Sequence, residues 1–289
     1  KRKEFQFSVL EVGLGGRLDA TNVTNSIACA IPSIDFDHES YLGTTLEEIL
    51  NEKLGILRPE SLLFTGVRET ALMKQIEHRC MELDAIYYYS KDLNIETKVV
   101  DWQHQEVRVN GFPLTLTNPS VGALENAALS QMLMRIVFPK ITAEQIHEGI
   151  RKVKTPGRME VVQDNPRVVL SGDHNPAGVR CLLSTLDRVK AGKVNVVCGF
   201  SPDKPSKKLF ELLKGTANEI LVTEIPRFRG KMPRGYADMG DFEPDPFKAI
   251  ERMMARTEKD QTLLITGSLY LVGEVRKHWA DRGDYRSGE

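Results

Sequence analysis

Apolar residues fall along the chain in two rhythms, and the change of rhythm divides it. Residues 7–12 form a short apolar run that reads as a buried strand, followed by the glycine-rich turn Gly13-Leu14-Gly15-Gly16. Residues 26–34 are a second strand-like run, ending in Asp35-Phe36-Asp37-His38. From 44 to 57 the apolar positions Leu46, Ile49, Leu50, Leu54 and Leu57 recur at helical spacing. Thr44 or Thr45, with Glu47 or Glu48 a turn further on, forms a capping box, and Pro59 ends that helix. Strands are predicted at 62–65 and 85–89, with a helix at 70–83 between them. Asn110-Gly111 separates alternating runs at 106–109 and 112–116, which is a hairpin signal. Helices are predicted at 125–137 and 143–153.

Proline and glycine in Lys154-Thr155-Pro156-Gly157-Arg158 then break the helical pattern and mark a boundary. Beyond it, strands at 168–170, 194–199, 220–223 and 263–266 alternate with helices at 178–189, 207–213, 247–255 and 269–279. Such alternation predicts an α/β fold with a mostly parallel sheet covered on both faces. The stretch 226–246, rich in proline, glycine and charge, reads as a long surface loop.

A length of 289 residues fits two domains, and a hydrophobic content of 41% is enough for real cores. The net charge of −1 gives no global reason for a nucleic-acid or membrane partner. No stretch reaches the roughly 18 apolar residues that a membrane span needs. Cys29, Cys80, Cys181 and Cys198 have no C-x-x-C spacing, and Cys29 and Cys198 sit in apolar runs. The expectation is buried, reduced thiols in a cytoplasmic protein. The chain starts at Lys1 without methionine and is already strand-like by residue 7, so it reads as the middle and end of a longer protein.

In an open parallel sheet, ligands bind beyond the carboxyl ends of the strands. Three segments put polar groups there. The turn after Glu11 offers backbone amides to phosphate or metal-bound oxygen, although a tight strand-to-loop turn explains its glycines equally well. The Asp35-Phe36-Asp37-His38 segment offers oxygen donors that a hard cation prefers, although a histidine beside acids is ordinarily a surface hydrogen-bonding residue. Lys53, beside Glu52 on the helix, is ordinarily a solvated charge.

The wording and order of these segments go further. The run EVGLGGRLDATN at 11–22, then DHESYLGTTLEEILNEKLGIL at 37–57, resembles the folylpolyglutamate synthase and dihydrofolate synthase family of Mur-type ligases. TPGRMEVV at 155–162, GDHNPAG at 172–178 and TGSLYLVGEVR at 266–276 are similar to further segments of that family, so the likeness runs over essentially the whole chain. The resemblance implies 1–154 as the remainder of an ATPase domain with a mostly parallel sheet, and 155–289 as a Rossmann-like Mur-ligase C-terminal domain. It implies an ATP-dependent, monomeric ligase that forms an amide between L-glutamate and dihydropteroate or a folate through an acyl phosphate, with Mg²⁺ as cofactor. It also implies residue roles. Glu11 and His38 would ligate Mg²⁺. Lys53 would be carbamylated and become a carboxylate-bearing ligand. Arg158 and His174 would reach the nucleotide phosphates, and Asn126 would lie near the base.

Three departures qualify the likeness. No G-x-x-x-x-G-K-[ST] phosphate loop occurs in the chain, so this stretch alone is expected to lack ligase activity. The family wording D-G-A-H-N-P is here Ser171-Gly172-Asp173-His174-Asn175-Pro176, which moves the carboxylate two positions. Ser171 is expected to meet a ribose hydroxyl as a weaker acceptor, and Asp173 replaces the carboxylate only if the loop bends differently. The G-x-H-Q-x-x-N pattern before Asn126 has lost its His-Gln pair. Another Mur-type amino-acid ligase and a non-catalytic nucleotide-binding remnant are the alternatives.

Overall fold

The computed structural model describes residues 6–232 and 235–280. Pro233 and Arg234, within the loop predicted at 226–246, lie outside the described residues. The chain packs as two compact units. The first runs to Asn94 and takes in Glu125–Ile141; the second comprises Ile95–Leu124 and the chain from Thr142 onward. The small sheet at 95–116 and the helix after Thr142 therefore pack with the C-terminal part, whereas the sequence boundary near residue 154 grouped them with the N-terminal part.

In the first unit, β1 (Ala28–Ile31), β2 (Leu62–Thr65) and β3 (Ile86–Tyr89) form a parallel sheet in that order. Two short helices' worth of chain separates β1 from β2: α1 (Glu39–Leu42) and α2 (Leu46–Leu54). The predicted capping box is present on α2. The Thr45 hydroxyl accepts from Glu48 N–H, and the Glu48 carboxylate accepts from the Thr45 N–H. Helix α3 (Thr70–Glu82) joins β2 to β3. Ile49, Leu50 and Leu54 of α2 meet Ile31, Leu63, Leu72 and Ile76 in one buried cluster. Helix α4 (Val121–Val137) starts four residues earlier than predicted.

The strand predicted at 7–12 does not form. Phe7, Val9 and Leu10 are exposed, Val9 to 98%. A buried strand needs ladder partners as well as apolar side chains. Among the described residues β1 pairs only with β2, and nothing pairs with 7–12.

The second unit holds two sheets. β4 (Ile95–Val100), β5 (Gln105–Val109) and β6 (Phe112–Leu116) are antiparallel. Asn110 and Gly111 both take positive φ, 48° and 81°, as a two-residue hairpin turn of the predicted kind requires. Helix α5 (Ala143–Arg151) packs on β6. The larger sheet is built from β7 (Glu160–Asp164), β8 (Arg167–Ser171), β9 (Val194–Cys198), β10 (Ala217–Val222), β11 (Asp241–Phe242) and β12 (Thr262–Thr266). Its order is β11-β10-β9-β12-β8-β7, parallel except for β7. Helices α6 (Pro176–Arg188) and α7 (Ser206–Lys214) cover one face through Leu182, Leu186, Leu209 and Leu213. Helices α8 (Pro246–Met254) and α9 (Leu269–Val275) cover the other through Ile250, Met253, Leu271 and Val275. A last turn, α10 (Lys277–Ala280), replaces the end of the single helix predicted at 269–279. Every residue of β9 and β12 is buried, which is why both read as unbroken apolar runs. The four cysteines are free thiols, with Cys29, Cys80 and Cys198 buried, as expected. Burial raises the Cys80 thiol to about 11 and pushes Cys198 up still further, so both behave as inert core residues.

Candidate functional site

In the first unit, the sequence segments singled out after residue 11 close around one cavity of about 260 Å³. Its wall is the turn at 12–15 together with Asp35, Asp37, His38 and Lys53. Local chemistry places each of them. Helix α2 starts at its capping box and carries Lys53 on its last turn. The glycine turn is stapled to the same helix. Arg17 N–H donates to the Glu52 carbonyl at 2.8 Å, and the Arg17 guanidinium reaches the Glu52 carboxylate at 2.9 Å. Gly15 takes φ +66°, and a Cβ at Gly16 would lie 2.9 Å from the Glu52 carbonyl oxygen, so the close approach requires glycine. Arg58 completes the staple by donating to both oxygens of Asn22 at 2.7 Å.

Two of the turn's amides bond within the turn itself, in line with the tight-turn alternative. Gly13 and Leu14 N–H both donate to the Asp19 carboxylate at 3.0 Å. Thr21 adds its hydroxyl at 2.7 Å and its amide at 3.0 Å. These bonds, the Thr21 hydroxyl first, hold Asp19 down at about 2. Asp19 thus occupies two of the donors that a phosphate would have needed. It was missed in the sequence, where a carboxylate after a glycine run carries no pattern of its own.

Lys53 is half-buried. Burial lowers its hold on a proton, and the nearby Asp37 carboxylate opposes that shift. His38 takes a left-handed backbone, φ 51°, and its Nε2 lies 3.9 Å from Asp37 Oδ1. The structure therefore brings His38 and Lys53 together and adds Asp35 and Asp37, whose D-x-D spacing at a strand end was the available signal. Glu11 is exposed beside the cavity and is not part of its wall, and Asn126 is exposed on α4. Among the described residues no three His, Cys, Asp or Glu side chains converge as a cation cage. The donor types, two carboxylates and an imidazole, suit a hard divalent cation, but as placed they are only part of a ligand set.

In the second unit, the remaining predicted residues meet at the carboxyl end of β8. The chain at 155–159 folds back on the β8–α6 loop. Gly172 N–H donates to the Gly157 carbonyl at 2.8 Å, and Arg158 Nη1 donates to the Gly172 carbonyl at 2.9 Å. His174 Nδ1 is 3.0 Å from the same carbonyl. Ser171, buried at the end of β8, accepts from Met159 N–H at 3.1 Å and donates to Asp173 Oδ2 at 2.7 Å. Burial raises the Asp173 carboxyl, and the Ser171 hydrogen bond, Arg158 and His174 each pull the other way. Glu160 anchors the turn from below. It accepts from Gly157 N–H at 2.7 Å and takes Arg276 in a two-pronged ion pair at 3.0 Å. Asn175 caps α6 by accepting from Gly178 N–H at 2.8 Å, with Pro176 in the first turn.

Comparison with known proteins spans both units. Residues 157–269 match the family described as "Mur ligase, glutamate ligase domain". Over 94% of its length the chain is 30% identical to a probable bifunctional folylpolyglutamate synthase/dihydropteroate synthase of Haloferax volcanii, covering 34% of that protein. It is 29% identical to the dihydrofolate synthase/folylpolyglutamate synthase of Bacillus subtilis, again over 94% of the chain and 67% of the relative. The crystal structure of a bifunctional folylpolyglutamate synthase/dihydrofolate synthase from Yersinia pestis, complexed with AMPPNP and Mn ion, superposes with a TM-score of 0.79 at 29% identity, over 93% of this chain and 65% of that one. The chain thus spans about two thirds of two of these relatives and about one third of the other. Sequence likeness across both units and the shared α/β architecture agree: the chain is similar along nearly its whole length to the folylpolyglutamate synthase/dihydrofolate synthase family of Mur ligases.

Proposed function

We propose that this chain carries much of the machinery of an ATP-dependent ligase that joins L-glutamate to dihydropteroate or to a (poly)glutamylated folate. The observation that supports it most is the convergence of Arg158 and His174 on the β8–α6 loop, inside the stretch that matches the glutamate ligase domain. That loop lies at the carboxyl edge of a parallel sheet, where such folds bind ligands. A relative's structure holding AMPPNP and Mn supports nucleotide and divalent cation as its ligands.

The reaction has two steps. A carboxylate oxygen of the pterin substrate attacks the γ-phosphorus of ATP, ADP leaves, and an acyl phosphate forms. The glutamate amino nitrogen then attacks the acyl carbon, the C–O bond to phosphate breaks, and the amine loses a proton. Both steps bring anions together, so the protein's task is positioning and charge neutralisation. Arg158 and His174 serve the phosphates, and Ser171 with Asp173 shapes the loop that holds them. Asn126 is assigned to the base. On the first unit, Glu11, His38 and Lys53, with Asp35 and Asp37, are the groups that would hold Mg²⁺. When bound, that ion offsets phosphate charge. Lys53 fits this set only after losing its positive charge. Its burial favours the neutral amine, which attacks CO₂ with formation of an N–C bond and loss of a proton, leaving a carbamate. The division of labour is assigned to an ATPase remainder within 1–154 and a ligase domain at 155–289, although 95–124 and 142–154 pack with the second unit, in a cytoplasmic monomer.

The test is glutamate-dependent ADP release by the longest open reading frame containing this chain, with Mg²⁺ and with dihydropteroate or tetrahydrofolate offered separately. Turnover with either acceptor supports the proposal and shows which step is served. Absence of turnover with both, in a protein that binds ATP, removes it.

A further inference from the structure

The serine and aspartate at 171 and 173 form a relay that joins three pieces of chain. Met159 N–H donates to Ser171 Oγ at 3.1 Å, and Ser171 Oγ–H donates to Asp173 Oδ2 at 2.7 Å. Met159 immediately follows Arg158 and holds a left-handed backbone, φ 49°. A non-glycine residue in that region costs energy and persists only when neighbouring bonds hold it. Three of those bonds come from one loop, beside the Gly157 N–H donated to Glu160 and the Arg158 carbonyl that accepts from Asn118 Nδ2 at 2.7 Å. Gly172 N–H holds the Gly157 carbonyl, Gly172 O holds the Arg158 guanidinium, and Ser171 Oγ holds the Met159 amide.

Ser171 alone is an ambiguous anchor, because its hydroxyl rotates to suit either neighbour. A carboxylate at 2.7 Å removes the ambiguity. It accepts the hydroxyl proton and leaves the oxygen's lone pairs directed at Met159 N–H. Asp173 has the basic side chains Arg158 and His174 as neighbours, and a Cβ on Gly178 of α6 would lie 3.0 Å from its other oxygen. The carboxylate is therefore tied to the Arg158 turn through Ser171 to the backbone of Met159, and the Arg158 charge acts on it as well.

We propose that Asp173 is a positioning residue: acting through the Ser171 hydroxyl, it fixes the turn that carries Arg158 against the β8–α6 loop. A serine–aspartate couple two positions apart then does the work of one carboxylate at the end of β8. The proposal deepens the nucleotide role given above to this loop, and in that part it rests on it.

Two readouts on the same samples of this chain separate the two ideas: amide hydrogen exchange at Met159, with the core amide of Val169 as reference, and calorimetric titration with ADP. Asp173→Ala and Ser171→Ala are each expected to speed Met159 exchange, leave Val169 unchanged, and weaken ADP binding about tenfold, the loss of one charge-assisted hydrogen bond. Asp173→Asn keeps an acceptor for the hydroxyl and is expected to stay near wild type in exchange. The double change Ser171→Asp with Asp173→Ala is expected to restore both readouts, which a merely structural loss would not. Unaltered Met159 exchange in Asp173→Ala overturns the proposal. If Val169 exchange rises in step, the variant has lost its sheet and Ser171→Ala decides by the same comparison. Faster Met159 exchange in a chain whose wild type binds no ADP keeps the positioning role and removes the nucleotide reading.

Discussion

The apolar run at 7–12 and strand β9 look alike in sequence and end in opposite environments. Both are short, rich in valine or leucine, and followed by glycine. Every residue of β9 is buried, between β10 and β12 and under helices on both faces. The run at 7–12 stays outside any ladder, with Val9 98% exposed. Apolar content is a request for burial. Whether it is met depends on hydrogen-bonding neighbours that lie far away in sequence.

The comparison can be broken from either side. Leu264→Ala, in the fully buried β12, is expected to cost about 3 kcal/mol because the packed sheet cannot collapse around the lost volume. Both tryptophans, Trp102 and Trp279, lie in the second unit, so denaturant unfolding followed by tryptophan emission reports it directly. A change under 1 kcal/mol would mean that this sheet is less tightly packed than its burial indicates. In the first unit, Thr45→Ala removes the α2 capping box and is expected to cost about 1 kcal/mol, read as faster exchange of the Glu48 amide.

Lys53→Met sharpens the picture through pH. The folded chain holds the Lys53 proton less tightly than the unfolded chain, whose value is about 10.5. The unfolded state therefore binds more protons above the folded value, and wild-type stability rises with pH up to about 10.5. Lys53→Met is expected to be modestly more stable than wild type at neutral pH, with the advantage shrinking as pH climbs through that window, in melting curves taken across it. An advantage that does not shrink would show that Lys53 is not penalised by burial. The smallest effect is expected for Val9→Ser, within about 0.5 kcal/mol, because the side chain already faces water. A loss well beyond that, seen in β1 amide exchange, would show that 7–12 is buried as a strand after all.

Where helices and strands carried their own signals, the sequence reading and the structure agree. The capping box at Thr45 and Glu48, the Asn110-Gly111 turn and the unbroken apolar runs of β9 and β12 are local features with local causes. The missed elements lack such causes. β11 is two residues long and exists because β10 offers a parallel edge, and β7 is a half-polar strand that exists because β8 does. The candidate site divides in the same way. The resemblance, not the residue pattern, named His38, Lys53, Arg158 and His174, and the structure puts the first two on one cavity and the last two on one loop. Asp37 beside Lys53, and Asp19 on the amides of Gly13 and Leu14, became visible only as contacts.

By itself the sequence determined the α/β class, most element positions, the free thiols and the family likeness, because periodicity, caps, turn residues and motif wording are properties of neighbouring residues. Only the tertiary structure decided that 7–12 remains unpaired, that 95–124 packs with the C-terminal part, and that Ser171 and Asp173 act as one relay. Each of these depends on which distant group supplies a partner for a buried amide or an apolar face, and a one-dimensional pattern does not carry that information.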